Sequence, residues 1–249
     1  QNGATEIVVS EGSPVRIRQG ASWRQLTTEA LRGPEVWDFV RETMGPDVLE
    51  SLADRQFVVR PWLVDGIGRG TATAFRQFEG VAVRVTFALA TIPTLQSVGV
   101  PAPIGDAVRS GKGLVLVVGE RGLGRGEVLS ALVREVAGDS THYVVVVDDE
   151  PLALPTEGAL VLRRRYGLTP AERAEALRSV VNEDPDVLMV GDVGSAETFE
   201  VALRAAEGGR MVIAYLDAAN VTAALARVLN FYPVYDLGRV RASLAAVLR

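Results

Sequence analysis

The sequence predicts an α/β protein: a mostly parallel sheet covered by helices on both faces, preceded by a smaller α+β domain. Three observations predict it. After about residue 104, short continuous apolar runs, most of them rich in valine, alternate with helix-patterned segments, as parallel strands buried on both faces require. Before about residue 92, short β-rich runs mix with two brief amphipathic stretches. Between them, Thr91–Pro103 carries Pro93, Gly99, Pro101 and Pro103, a linker composition, since proline and glycine interrupt helix and strand alike. The expected division is a domain over 1–92, a linker over 93–103 and a second domain over 104–249.

In the first domain Ile7–Ser10, Val15–Arg18, Gln56–Val59 and Val81–Phe87 read as strands. Pro34–Met44 and Pro46–Ala53 read as helices, because Val36, Phe39 and Val40, then Val48, Leu49 and Leu52, recur at helical spacing. In the second domain the strands are Gly113–Val118, Tyr143–Val147, Ala159–Leu162, Val187–Val190 and Met211–Leu216. The helices between and after them are Glu127–Ala137, Pro170–Asn182, Ala196–Glu207 and Ala219–Val228.

Composition excludes several chemistries. The 249 residues contain no cysteine, one histidine (His142) and one lysine (Lys112). Disulfide frameworks, thiolate zinc sites and cysteine nucleophiles are therefore ruled out. A formal net charge of -5 with a pI near 5.1 argues against a general nucleic-acid binder, which needs a phosphate-neutralising surface. The longest apolar runs, such as Leu114–Val118 and Val144–Val147, are strand-length and far below the ~20 residues of a spanning helix. The expected location is cytoplasmic, with no direct insertion into a membrane.

The strongest local signal is the run Gly119, Glu120, Arg121, Gly122, Leu123, Gly124, Arg125, Gly126, followed by Glu127 at the helix start. It lies between an apolar strand and a helix, the context of a phosphate-binding loop, whose pattern is G-x-x-x-x-G-K-[ST]. Backbone N–H groups turned inward by glycine, with the positive end of a helix dipole, favour a phosphate. Gly119 and Gly124 hold their places, but the lysine position is Arg125 and the hydroxyl position is Gly126. Arginine keeps the charge but brings a wider planar fork, and glycine offers Mg²⁺ no ligand. Lys112 is no substitute: the strand puts it ~20 Å from the loop, at the opposite sheet edge. Taken alone, the glycines fit an ordinary strand-to-helix turn equally well.

Further segments, in one order, carry a resemblance. Ala4–Pro14 with Arg16 is similar to A-S-D-I-H-L-x-x-G-x-P-x-x-R, and Phe75–Gly80 followed by Ile92–Pro101 resembles F-R-Q-R-G-G then I-P-x-L-x-x-L-G-L-P. Asp149, Glu150 and Pro151 resemble an E-D-P box, and Val161–Gly167 resembles I-x-Q-R-E-V-G. Ala176–Asp186 is similar to A-L-R-x-A-L-R-x-D-P-D and runs into a Walker B-type strand ending at Asp192. Gly209–Asp217 resembles the histidine-box strand G-H-L-V-L-A-T-L-H, and Phe231–Pro233 with Arg241–Ala245 resembles F-P-P then R-x-x-L-A. The motifs are those of the type IV pilus and type II secretion motor ATPases, nearest to the PilT-type retraction branch, and they cover the chain from about Ala4 to Leu248. The resemblance implies a PAS-like first domain, a RecA-like second domain that the family pattern extends with further helices, and a ring hexamer. It implies ATP or ADP as ligand at the glycine-rich loop, with Asp192, Asp149 and Glu150 at the catalytic positions.

The departures fall on the chemistry. Besides Arg125 and Gly126, a catalytic glutamate is replaced by Asp192, one methylene shorter, and both box histidines become Arg210 and Asp217. Arginine-bearing segments of the first domain read Phe78 and Thr86 instead. Losing these together implies weak nucleotide binding, doubtful Mg²⁺ binding and little or no hydrolysis, because phosphoryl transfer rests on positioned charge. The expected protein is a pseudo-ATPase acting as structural or regulatory partner of a pilus motor. It would stand in a homo-hexamer, or in a mixed ring with an active motor, against inner-membrane platform proteins. The alternatives are a divergent but active hexameric ATPase driving pilus retraction or secretion, and a nucleotide-independent scaffold. Among other residues, Trp23, Trp37 and Trp62 read as core or hinge packing, His142 as a family position, and Arg163–Arg165 as a solvated strand end or an anion contact. Glu183, Asp184 and Asp186 read as helix-end and strand-start residues rather than a metal cluster.

Overall fold

The computed structural model describes residues 4–20, 22–64, 68–78, 80–88, 91–120, 124–138, 141–167 and 169–249. Its chain divides into two units, Gln1–Ala90 and Thr91–Arg249.

In the first unit, polar and apolar side chains alternate along strands that bury one face only. Strands β1 (Glu6–Ser10), β2 (Arg16–Gln19) and β3 (Ser22–Gln25) precede helices α1 (Gly33–Met44) and α2 (Val48–Asp54). Strands β4 (Phe57–Val64), β5 (Gly68–Gln77) and β6 (Gly80–Phe87) follow. They form one antiparallel sheet in the order β3-β2-β1-β6-β5-β4. Val81, Val83 and Val85 point inward at the two-residue period of a strand and pack with Ala72 and Ala74 against Val40, Met44, Val48 and Leu52 of the helices. Helix α1 starts on Pro34, whose fixed φ suits the first turn, and the Glu35 carboxylate accepts a hydrogen bond from the Arg32 amide at 2.7 Å.

Strands β3 and β5 depart from the sequence expectation, which placed no strand there. All four residues of β3 are exposed, so it shows no apolar alternation. In β5 the inward positions are alanines between threonines, a face too small to register as an apolar run. Gly70 has a specific reason to be glycine: a Cβ there would lie 2.0 Å from the Thr86 carbonyl oxygen on β6. Pro61 is tolerated because β4 is an edge strand. Trp37 and Trp62 pack on the core, Trp62 edge-to-face with Phe87 at 5.3 Å. Trp23 does not: it stands 46% exposed on β3, with the Arg18 guanidinium 5.9 Å from its ring.

The second unit opens with turns and helix α3 (Ala102–Arg109), which the sequence reading did not anticipate, and continues through β7 (Gly113–Gly119), α4 (Arg125–Ala137), β8 (Tyr143–Val147) and β9 (Leu160–Arg164). Then come α5 (Pro170–Val181), β10 (Val187–Asp192), α6 (Ala196–Glu207), β11 (Met211–Asp217) and α7 (Val221–Leu229). After a 3₁₀ turn at Val234–Asp236, the described chain ends with α8 (Leu237–Val247), also unanticipated. The five strands are all parallel, in the order β7-β11-β10-β8-β9. Val144, Val146, Met189 and Ile213 pack under α4 through Leu129, Leu132 and Val136. Val145, Val147, Leu188, Val190 and Val212 pack on the other face with Leu177, Phe199, Leu203 and Val240. The α/β class with a parallel sheet covered on both faces is therefore the fold observed.

Caps mark where the helices of this unit begin. Thr169 accepts from the Glu172 amide at 3.2 Å while the Glu172 carboxylate accepts from the Thr169 amide at 3.0 Å, a reciprocal box. The acids at the end of α5 serve the fold: Asp186 accepts from the Tyr143 amide at 2.8 Å, Glu183 pairs with Arg164 at 2.9 Å, and Asp184 pairs with Arg210. Substituting Gly70→Ala is expected to destabilise the first unit by about 1–3 kcal/mol, the usual cost of forcing atoms into a filled site. Urea unfolding followed by tryptophan fluorescence, with a lowered midpoint in the variant, is the check.

Candidate active site

A parallel sheet brings its carboxyl ends to one edge, and ligands of open α/β sheets bind there. Register places Asp217 beside Gly119, Tyr215 beside Asp192, and Val190 beside Val147. Gly119, Asp217, Asp192 and Asp148, the residue after β8, therefore share that edge. Arg210 and His142 precede β11 and β8, and the exposed Lys112 precedes β7, so all three lie at the other edge, as the strand length requires of Lys112. Of Arg210 and Asp217, the two positions that the resembling pattern fills with histidine, Asp217 lies at this edge and Arg210 does not.

Gly124 caps α4 with φ 81°, a left-handed conformation that glycine adopts without strain. Arg125, Gly126 and Glu127 form the first turn of α4, and Glu120 is exposed. Arg121, Gly122 and Leu123 lie outside the described residues. The amides of the α4 N-terminus, with the dipole behind them, are suited to a phosphate oxygen.

The Arg125 side chain is only 11% exposed. Its Nη2 lies 2.5 Å from Oδ2 of Asp148, itself buried, and its Nη1 lies 3.0 Å from Oε1 of Glu150. The guanidinium also lies over the Tyr215 ring at 4.6 Å, a cation–π contact. The Tyr215 hydroxyl in turn donates to the Gly119 carbonyl at 2.5 Å. Burial pushes the Asp148 carboxyl above the usual carboxylate range, against the pull of Arg125. Burial acts to lower the guanidinium, but Asp148 and Glu150 outweigh it and hold it above its ordinary value.

The remaining acids are joined through Tyr166, which is buried. Oδ1 of Asp149 accepts from the Tyr166 amide at 3.1 Å, and the Tyr166 hydroxyl donates to the Asp192 carbonyl at 2.8 Å. Asp192 ends β10 half-buried. Arg227 of α7 reaches back to this edge, donating to the Asp217 carbonyl at 2.5 Å and the Gly194 carbonyl at 3.2 Å. Arg163 donates to the Glu150 carbonyl, so part of the arginine run buttresses the acidic loop. Thus Arg125 and Glu150 meet directly, while the Asp149 carboxylate and the Asp192 carbonyl are both bound by Tyr166.

Sequence reasoning missed Asp148, which is more deeply buried than Asp149 or Glu150. The signal was available: it is the first acid after four consecutive valines, where the strand leaves the core. Tyr215 and Tyr166 were missed because each lies inside a segment read for its neighbours.

Among the described residues, a Cβ at Gly126 would meet only Leu152 Cδ2, at 3.6 Å, which is ordinary contact. The described neighbours do not demand glycine there, yet glycine supplies no hydroxyl for a metal. The backbone at this edge fits a phosphate group; the side chains at the loop do not supply the hydroxyl ligand that Mg²⁺ takes in such loops.

Replacing Arg125→Met would strand the Asp148 charge, and losing one partner of a buried pair typically costs about 3–5 kcal/mol. The deficit is expected to be largest at neutral pH. It shrinks on acidification, because a carboxyl with a raised folded pKa contributes stability below its unfolded pKa and loses it as pH rises through the folded one. Urea unfolding of both proteins across the acidic to neutral range measures this.

Comparison with known proteins places the molecule. The type IV pilus ATPase PilU of Pseudomonas aeruginosa is 27% identical over 251 residues, covering 100% of this chain and 65% of that protein. The type IV pilus retraction ATPase PilT of the same organism is 26% identical, covering 100% of this chain and 73% of that protein. The crystal structure of the pilus retraction motor PilT with bound ADP matches with a TM-score of 0.83 at 26% identity, over 99% of this chain and 73% of that one. The chain therefore spans about two thirds to three quarters of the length of these relatives. A model of the type II/IV secretion system protein family matches residues 72–249, and with that match running from β5 to the last residue, the chain belongs to this family.

Proposed function

We propose that this protein is a PilT-like pilus ATPase homologue with a degenerate nucleotide site, serving as structural or regulatory partner of a pilus motor. The observation that carries the reading is Gly126. It stands in the first turn of α4, where the motor pattern places a metal-binding hydroxyl, and no steric contact with the described residues requires it. Arg125 at the lysine position, Asp192 for a glutamate and Asp217 for a histidine support it. Gly119, Glu120, Arg121, Gly122, Leu123, Gly124, Arg125, Gly126 and Glu127 would hold ATP or ADP weakly through backbone amides, with Mg²⁺ poorly bound. Residues 1–92 would form a PAS-like domain, joined through a linker at 93–103 to the RecA-like domain at 104–249. The assembly would be a homo-hexamer or a mixed ring with an active motor, docked on platform proteins at the cytoplasmic side of the inner membrane. Among the described residues, no helix is long and apolar enough to cross a membrane.

A second reading, an active hexameric ATPase, is favoured by two retained features. A carboxylate still ends β10 at Asp192, and a cation still opens α4 at Arg125.

The purified chain with Mg·ATP is expected to turn over at least about a thousand-fold below the ~1 s⁻¹ at the lower end of typical enzymes. Turnover near that rate, abolished by Asp192→Asn, would establish the active motor instead. ADP affinity, measured by calorimetry, is expected to be the same with and without Mg²⁺. In Gly126→Ser, which the site accommodates, Mg²⁺ is expected to tighten ADP at least about ten-fold, the scale of one charge-assisted contact.

A further inference from the structure

We propose that Asp148 is an internal anion that occupies Arg125 in place of a nucleotide phosphate, and that it thereby sets the affinity of the loop for phosphate ligands. The proposal rests on reading this loop as a degenerate phosphate loop and names what regulates it.

Five contacts build the arrangement; one of them, Nη1 of Arg125 to Oε1 of Glu150 at 3.0 Å, reaches an exposed carboxylate rather than a buried one. Oδ2 of Asp148 takes Nη2 of Arg125 at 2.5 Å, with side-chain exposures of 4% and 11%. Its other oxygen, Oδ1, accepts from the Glu150 amide at 3.0 Å, so both carboxylate oxygens are engaged. Tyr215 supports the guanidinium from below at 4.6 Å and is itself tied to the Gly119 carbonyl at the start of the loop. Gly191 on β10 leaves the room: a Cβ there would lie 3.1 Å from Asp148 Cγ and 3.2 Å from Tyr166 Cδ1. The carboxylate sinks into the sheet edge because its neighbour strand is bare at that point.

This cation has a charged partner before any ligand arrives. A phosphate that recruits Arg125 must displace a carboxylate fixed in the same fold, and an intramolecular partner acts at a high effective concentration. Displacement would also leave Asp148 buried without its counter-charge, the costly half of a broken buried pair. A dissolved nucleotide therefore meets the backbone amides of the α4 N-terminus without Arg125.

Asp148→Asn removes the charge and retains an acceptor for the Glu150 amide. Calorimetry with ADP, and separately with inorganic pyrophosphate, is expected to show at least about ten-fold tighter binding in Asp148→Asn than in the native chain, a conservative share of the buried-pair cost. The double variant Arg125→Gln/Asp148→Asn is expected to lose that gain. A folded Asp148→Asn that binds no tighter, or a gain that survives in the double variant, overturns the proposal. Should Asp148→Asn fail to fold, the native chain still decides. The Arg125 Nε–H signal in ¹⁵N spectra, assigned by its loss in Arg125→Lys, is expected to exchange slowly with water. Exchange as fast as that of exposed arginines overturns the proposal. Turnover of Mg·ATP bears on the pseudo-ATPase reading alone, whereas the affinity difference bears on Asp148 alone, so the two fail independently.

Discussion

The common direction of five strands governs the second unit. Because β7, β11, β10, β8 and β9 all run one way, every carboxyl end meets at one edge, and every connection must cross a face as a helix or long loop. That single constraint explains the double burial of the valine-rich runs and the clustering of Gly119, Asp217, Asp192 and Asp148. It also separates those residues from His142, Lys112 and Arg210, which precede their strands. A site assembled this way depends on ladder register more than on any one loop.

The same geometry shows how the residues of this edge are held within the protein. Some residues hold the sheet and turn the chain: Gly124, whose positive φ opens α4, and Asp186, which accepts from the Tyr143 amide at the start of β8. Others, at the edge where the proposed reading puts phosphate, make contacts within the protein. Arg125 is paired with two acids, Asp149 receives an amide, and the Asp192 carbonyl receives a tyrosine hydroxyl.

Much of the fold was legible in the sequence because burial writes itself as continuous apolar runs; β7, β8, β10 and β11 were found that way, while the mostly exposed edge strand β9 showed only a short apolar stretch. The first unit was harder. β5 turns alanines inward, β3 turns nothing inward, and β4 runs on through Pro61 because an edge strand tolerates it; none of these leaves an apolar pattern. Among the site residues, the glycine loop was visible by its own pattern, and Asp149, Glu150 and Asp192 only through the family resemblance. Asp148 was not, since only the fold reveals which of three adjacent acids turns inward. Exposure of Trp23 was likewise hidden, because a large aromatic ring reads as core until its strand proves to be an edge.

The placement of the aromatic rings has a spectroscopic consequence. Trp23, Trp37 and Trp62 all belong to the first unit, whereas Tyr143, Tyr166, Tyr215, Tyr232 and Tyr235 all belong to the second. Indole emission therefore reports directly on the antiparallel sheet and its two helices, and phenol absorbance reports on the parallel one. The two units carry separate natural chromophores, so the order in which they melt is readable without a label.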